Sequence, residues 1–299
     1  MTTSWIFFAA LAYFLMAASQ LVDKGFLQVV FKESKAYVFL VGAIGILALL
    51  LLPFGIASLS LSLLITALIG GALFILALIP FLSALQSDDA SRVIPLLGAL
   101  IPIGTLVGET IFLDAALSRL DLLGFSLLVV GAVVLTLTKS NSPRRSRLAV
   151  IKAITAAFIF AASFVITKFV FNSTDFISGF FYMRLGGIIV AIGLFFLPSV
   201  RKDIFLFFTK NKLRTKIGYF ANQGLAGTGF ILQNIAITMA SVSLVNALQG
   251  IQYVFIIIFV GIAAKFNPKL LGETITRGII IEKMTAILII IAGIAAIAL

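Results

Sequence analysis

Apolar residues in this chain gather in long runs, and the short gaps between them hold most of the Lys and Arg. A bilayer-crossing helix needs about 17–25 such residues, because unpaired backbone groups are not tolerated in hydrocarbon. Ten runs meet or approach that length and predict ten transmembrane helices: Ser4 to Val30, Tyr37 to Leu52, Leu59 to Leu82, Val93 to Val107, Leu122 to Thr138, Leu148 to Phe171, Ile177 to Leu197, Ile217 to Met239, Ser243 to Ala264 and Ile279 to Leu299. The second and fourth are short and the first is long, so tilt and interfacial ends absorb the mismatch. The first run is too long for a signal-peptide core and has neither a basic leader nor a small-residue cleavage site, so it is expected to stay in the mature protein.

Composition agrees with the runs. Of 299 residues, 62% are hydrophobic and only 11% charged, with 29 Phe; too little polar surface remains to coat a water-soluble particle. The chain has no Cys and no His, which removes disulfides, thiolate nucleophiles, Ser/His/Asp triads and the usual zinc sites. No enzyme activity and no cofactor are expected.

The net charge of +11 sorts by loop. Taking the connections alternately, one side collects 18 of the 22 Lys and Arg, including Lys32, Lys35, Arg144, Arg145, Arg201, Lys202, Lys212 and Arg277. The other side has only Arg119, while Lys24, Lys168 and Arg184 lie within apolar segments. The positive-inside rule then predicts a multi-pass inner-membrane protein with basic loops in the cytoplasm and both termini outside. The charge is read as orientation, with the lipid bilayer as partner and no nucleic acid. Between basic residues, Ile204 to Phe208 suggest that Arg201 to Lys216 forms a short helix anchored in the interface.

The two halves also match each other in order. Ala17-Ala18-Ser19 with Lys24 parallels Ala161-Ala162-Ser163 with Lys168, and Leu52-Pro53 parallels Leu197-Pro198. Ala84, Ser91 and Gly98 parallel Ala236, Ser243 and Gly250, and Leu106 to Ile111 parallels Leu270 to Ile275, each with a central Gly-Glu-Thr. Residues 1–140 and 147–299 then form two five-helix repeats joined by a basic linker, 139–147. An odd helix number inverts the second repeat, and inverted repeats place a substrate site near the midplane between halves. The expected fold is therefore an all-α polytopic membrane protein, ten transmembrane helices in two inverted five-helix repeats.

Within each half, an Ala-Leu or Ala-Ile step ends the third helix, a Ser opens the fourth, a Gly-Glu follows it and a Gly-rich fifth helix closes the unit. Here these are Ala84-Leu85, Ala90-Ser91, Pro102, Gly108-Glu109 and Gly124 with Gly131, then Ala236-Ile237, Ser243, Gly272-Glu273 and Gly293. The pattern resembles the drug/metabolite transporter superfamily, EamA type, over essentially the whole chain. It departs from that pattern at Gln249 to Gln252, where a Pro-containing step is common, and in about a dozen extra residues before Gly272. The resemblance implies a ten-helix inner-membrane carrier built from two repeats.

Polar groups inside a membrane are costly unless they face protein or water, so each is a site candidate. On the ninth helix Asn246, Gln249 and Tyr253 share a face at i, i+3, i+7, with Gln252 beside it. Amides donate and accept, which suits a polar solute; the alternative is hydrogen-bonding between helices. Asn222 and Gln223 are further candidates, whereas Gln233 and Asn234 lie too near the interface. On the first helix Ser19 joins the substrate candidates, and Asp23, read as the only carboxylate within a helical run, is the candidate for proton coupling; contact with headgroup water is its alternative. Lys24 and Lys168 reach toward opposite faces as snorkelling amines or binding groups. Arg184 is the best candidate for holding a carboxylate or phosphate, since guanidinium binds such groups bidentately. Glu109 and Glu273 are expected to cap a following helix or pair with basic loops. Tyr13 is a belt or packing residue with access to a cavity, and the Gly pairs serve close helix packing.

These residues predict a secondary transporter, monomer or homodimer, that exports a small polar or amphipathic metabolite such as an amino acid by alternating access. The alternative is a carrier or flippase for drug-like cations or lipid-linked head groups.

Overall fold

The computed structural model describes residues 4–88, 90–137, 147–266 and 277–298, and every regular element among them is a helix. The first half runs α1 (Ser4–Val29), α2 (Ser34–Ile44, continuing as a 3₁₀ stretch Gly45–Phe54), α3 (Leu61–Ser87), α4 (Ala90–Phe112) and α5 (Arg119–Leu137). The second half runs α6 (Arg147–Ser173), α7 (Phe176–Phe195), α8 (Pro198–Lys210), α9 (Leu213–Met239), α10 (Val242–Ala247), α11 (Gly250–Phe266) and α12 (Arg277–Ala298). Six of these segments are long and apolar enough to cross a membrane. Large apolar side chains also cover the outside, among them Phe7, Leu50, Ile111 and Leu288, each more than 60% exposed. Such a surface is solvated by lipid, and the chain is a helical membrane protein.

Three expectations change in detail. The helix expected at the interface starts at Pro198, which supplies a first-turn residue without an N–H, and it ends at Lys210. Lys212 is the N-cap of α9 and Lys216 lies inside that helix. The ninth run is two helices with a turn at Leu248 and Gln249. Asp23 is not the only carboxylate within a helix: Glu109 lies near the end of α4, Asp121 in the first turn of α5 and Glu282 in α12. Most of the 139–147 linker and Gly272-Glu273 lie outside the described residues.

The core is assembled across the two halves. α3 packs along α6 and α7, α1 along α9, and α5 along α12. Small residues set the closest approaches. A Cβ at Gly71 would overlap the Met183 carbonyl, and one at Gly186 the Leu68 carbonyl, so α3 and α7 meet backbone to backbone. At the α5–α12 contact, Cβ atoms on Gly124 and Gly293 would lie 2.8 and 2.9 Å from each other's carbonyl oxygens. Dispersion contact over these seams replaces the hydrophobic drive that lipid does not provide.

The ends of α3 and α9 are built alike. Their C-cap residues, Asp88 (φ −140°, ψ 174°) and Ala240 (φ −140°, ψ 177°), each return an N–H to the residue four back, Ala84 and Ala236. Lys24 donates to the Asp88 carbonyl at 2.9 Å, and Lys168 donates to those of Ala240 and Ile237 at 2.8 Å. Each ammonium thus satisfies carbonyls left open where a helix ends and sits at the negative end of its dipole. α8 buries Val200, Asp203, Ile204 and Phe207 against the bundle and leaves Phe205 outside. The Asp203 Oδ2 accepts from the backbone N–H groups of Lys32 and Glu33, both at 2.9 Å, tying α8 to the α1–α2 turn.

Candidate functional site

α1, α3, α4, α6, α9 and the α10–α11 joint converge on a cavity of about 110 Å³. Its apolar wall is aromatic: Phe74 and Phe81 from α3, Phe160 and Phe164 from α6, and Phe230 from α9, with Leu97 and Ile101 of α4 behind. Its polar side carries Tyr13 and Gln20 of α1, Gln233 of α9 and Gln249 of the joint. Apolar walls with a few convergent polar groups are the usual make-up of a small-molecule site. The volume approaches that of the ~150 Å³ apolar cavity known to admit benzene.

The joint determines what each amide can reach. After Ala247 the backbone tightens, with Gln249, Ile251 and Gln252 each donating to the residue three back at 2.9–3.0 Å, so the 3.6-residue phase is lost. The predicted face therefore divides. The Asn246 Oδ1 accepts from Gln233 Nε2 at 3.1 Å, while its own Nδ2 is buried without a partner. Gln249 faces the cavity. Tyr253 leaves it and crosses to α4, donating to the Ile94 carbonyl at 3.0 Å with its hydroxyl over Gly98. Gln252 Nε2 donates to Gln20 Oε1 at 2.7 Å, joining α11 to α1. Tyr13 donates to the Val245 carbonyl at 2.9 Å and accepts from Gln233 at 3.2 Å. Ser19 is buried and its Oγ has no partner, although its counterpart Ser163 donates to the Gly70 carbonyl at 2.8 Å.

Asp23, Asn222 and Gln223 form a second cluster, away from the cavity wall. The Asp23 Oδ1 accepts from the Tyr37 hydroxyl and, at 2.6 Å, from Asn222 Nδ2; Gln223 Nε2 donates to the Tyr37 oxygen at 2.7 Å. Around it stand Phe26, Phe31, Phe207 and Tyr219, and the buried Tyr219 hydroxyl is unpartnered. Asp23 is held by protein donors within an aromatic box.

Arg184 of α7 lies under aromatic rings. Its guanidinium carbon is 4.4 Å from the ring centre of Phe230, 5.1 Å from Phe180 and 5.5 Å from Phe74. Its Nε is buried without a hydrogen-bond partner. Two of these rings, Phe74 and Phe230, also line the cavity.

The fold that carries this cavity recurs among solved structures. A chain described only as the crystal structure of a protein superposes with a TM-score of 0.65 at 18% identity, covering 99% of this chain and 96% of that one. At that identity the likeness is one of fold. No family profile matches the chain, and no curated protein matches it.

Glu109 does cap a helix, though not the following one. It reaches from α4 to the start of α10, where it accepts from Ser241 Oγ at 2.7 Å and from the Val242 and Ser243 N–H groups at 3.0 Å. Sequence reasoning set Gln233 aside as too near the interface, whereas the fold brings it to the cavity. It also passed over Tyr37 and the Phe wall. Phe is so abundant in this chain that no single ring stands out, and Tyr37 marked only the start of a predicted run.

Proposed function

We propose that this chain is a secondary transporter of the inner membrane, related to the EamA-type drug/metabolite transporters, that moves a small amphipathic metabolite by alternating access of two inverted five-helix halves. The cavity carries this reading: its walls come from α1, α3 and α4 of the first half and from α6, α9 and the α10–α11 joint of the second, so a shift of one half against the other would open it to alternate sides. Three observations support it. A helix broken beside the cavity brings Gln249 to its wall, and broken helices are a common feature of carrier sites. The matched C-caps at Asp88 and Ala240, each served by a Lys from the first helix of its own half, support the repeat. The recurrence of the fold over 99% of the chain supports a single integrated unit.

In this reading Gln249 and Gln233 orient the solute, the Phe wall takes its apolar part, and Asp23 carries the coupling proton. The network around Asp23 has the means: a carboxylate whose donors, Tyr37 and Asn222, would rearrange when it is protonated. A drug-like cation is a poorer cargo, because among the described residues the cavity lining contains no Asp or Glu and an arginine stands beside two of its rings.

Counterflow in proteoliposomes tests the reading, with amino acids as first solutes. Gln249→Ala and Phe230→Ala should each cut uptake at least about tenfold, as expected for loss of about 1.4 kcal/mol of binding. Asp23→Asn should retain counterflow and lose proton-driven accumulation. Lipid scrambling with no solute flux would overturn the proposal.

A further inference from the structure

We infer that Arg184 is an anion anchor, and that the solute of the cavity carries a carboxylate next to an apolar or aromatic body. This inference rests on the transporter reading and adds the charge of the cargo. The guanidinium lies 4.4–5.5 Å from three ring centres, and among the described residues it has no ion pair. Its Nε is buried with no acceptor. A cation at this depth is costly unless something compensates it. Ring faces contribute cation–π attraction, too little to replace a counter-ion. They give the guanidinium N–H donors no lone-pair acceptor, whereas a carboxylate supplies two and binds bidentately.

The cavity supplies the rest of the ligand's surroundings. Phe74 and Phe230 belong both to the cage and to the cavity wall, so a solute lying against these rings has its apolar body in the cavity and its charged end within reach of α7. Among the described residues no carboxylate lines the cavity to oppose it. Gln249 and Gln233 offer neutral polar groups in the cavity wall. A carboxylate is favoured over a phosphate because one guanidinium meets one planar carboxylate fully, and among the described residues no second cation lines the cavity for further charge.

The test uses the full chain in nanodiscs, with 3-phenylpropionate and its neutral analogue 3-phenylpropanamide as probes and binding read calorimetrically. Wild type should bind the acid at least about tenfold tighter than the amide, since hydrogen bonds to a charged group contribute about 1.5–3 kcal/mol. Arg184→Gln should bind both with the weak affinity of the amide, and Arg184→Lys should recover part of the preference. Equal binding of acid and amide by wild type, or a preference that survives Arg184→Gln, overturns the anchor and leaves the cavity reading standing. Failure of both probes to bind, together with no solute flux, overturns both. Repeating the measurement with and without phosphatidylglycerol separates the sources of anion: if the lipid changes the response of wild type but not of Arg184→Gln, and acid does not bind, the partner is a headgroup and the solute inference falls.

Discussion

Asp175 occupies the turn between α6 and α7, and its Oδ1 accepts from the Ser178 N–H at 2.9 Å, capping α7. The Ser178 hydroxyl first, and then that backbone bond, hold its carboxyl below the usual carboxylate range. A carboxyl bound this way stabilises the fold above its unfolded pKa of about 3.9, and the contribution fades as pH falls through the lower folded value. Asp175→Ala should therefore cost about 1 kcal/mol at neutral pH. Thermal melts of the two proteins should draw together as the pH approaches about 3, below the unfolded pKa; a gap that stays constant would argue against the cap. For Asn246, Gln249 and Tyr253 the residue types were legible and their destinations were not, because the phase that relates them is lost at Leu248 and Gln249.

At the scale of elements, α10 depends on a neighbour distant in sequence. It has six residues, too few to hold itself as a helix, and Glu109 of α4 accepts the N–H groups of Val242 and Ser243 and the Ser241 hydroxyl. Removing the carboxylate would leave buried donors unpaired at about 1–3 kcal/mol each. Glu109→Ala should therefore lower the melting temperature strongly and abolish solute flux. Glu109→Gln, which keeps one acceptor oxygen, should lose distinctly less in the same melt. Equal losses would mean that the side chain acts by packing. The Gly-Glu step pointed to a cap, but the capped helix is contributed by the other half, and no local pattern specifies that. α8 was more legible, because the apolar block Ile204 to Phe208 between basic residues marks a short amphipathic helix wherever it docks.

Across the whole molecule, Lys24 and Lys168 perform the same task on α3 and α9. Lys24→Met and Lys168→Met should each destabilise the protein, by about 1.5–3 kcal/mol for lost charge-assisted bonds. Since they serve different helices, the double variant should lose the sum of the two within about 0.5 kcal/mol. A clear departure from additivity in melts would show that the two caps respond to one shared rearrangement. The sequence by itself determined the membrane environment and nearly all the helices, because apolar run length and breaks are local properties fixed by the thickness and dryness of lipid. It also matched the two lysines, through the repeat. Only the tertiary structure decided that Gln233 joins the cavity, that Asp23 sits among Tyr37 and Asn222, and that Arg184 lies under three rings. In an apolar chain nearly every helix face is hydrophobic, so periodicity does not say which face turns inward. Close packing at small residues makes that choice, and it is a property of pairs of helices, not of either one alone.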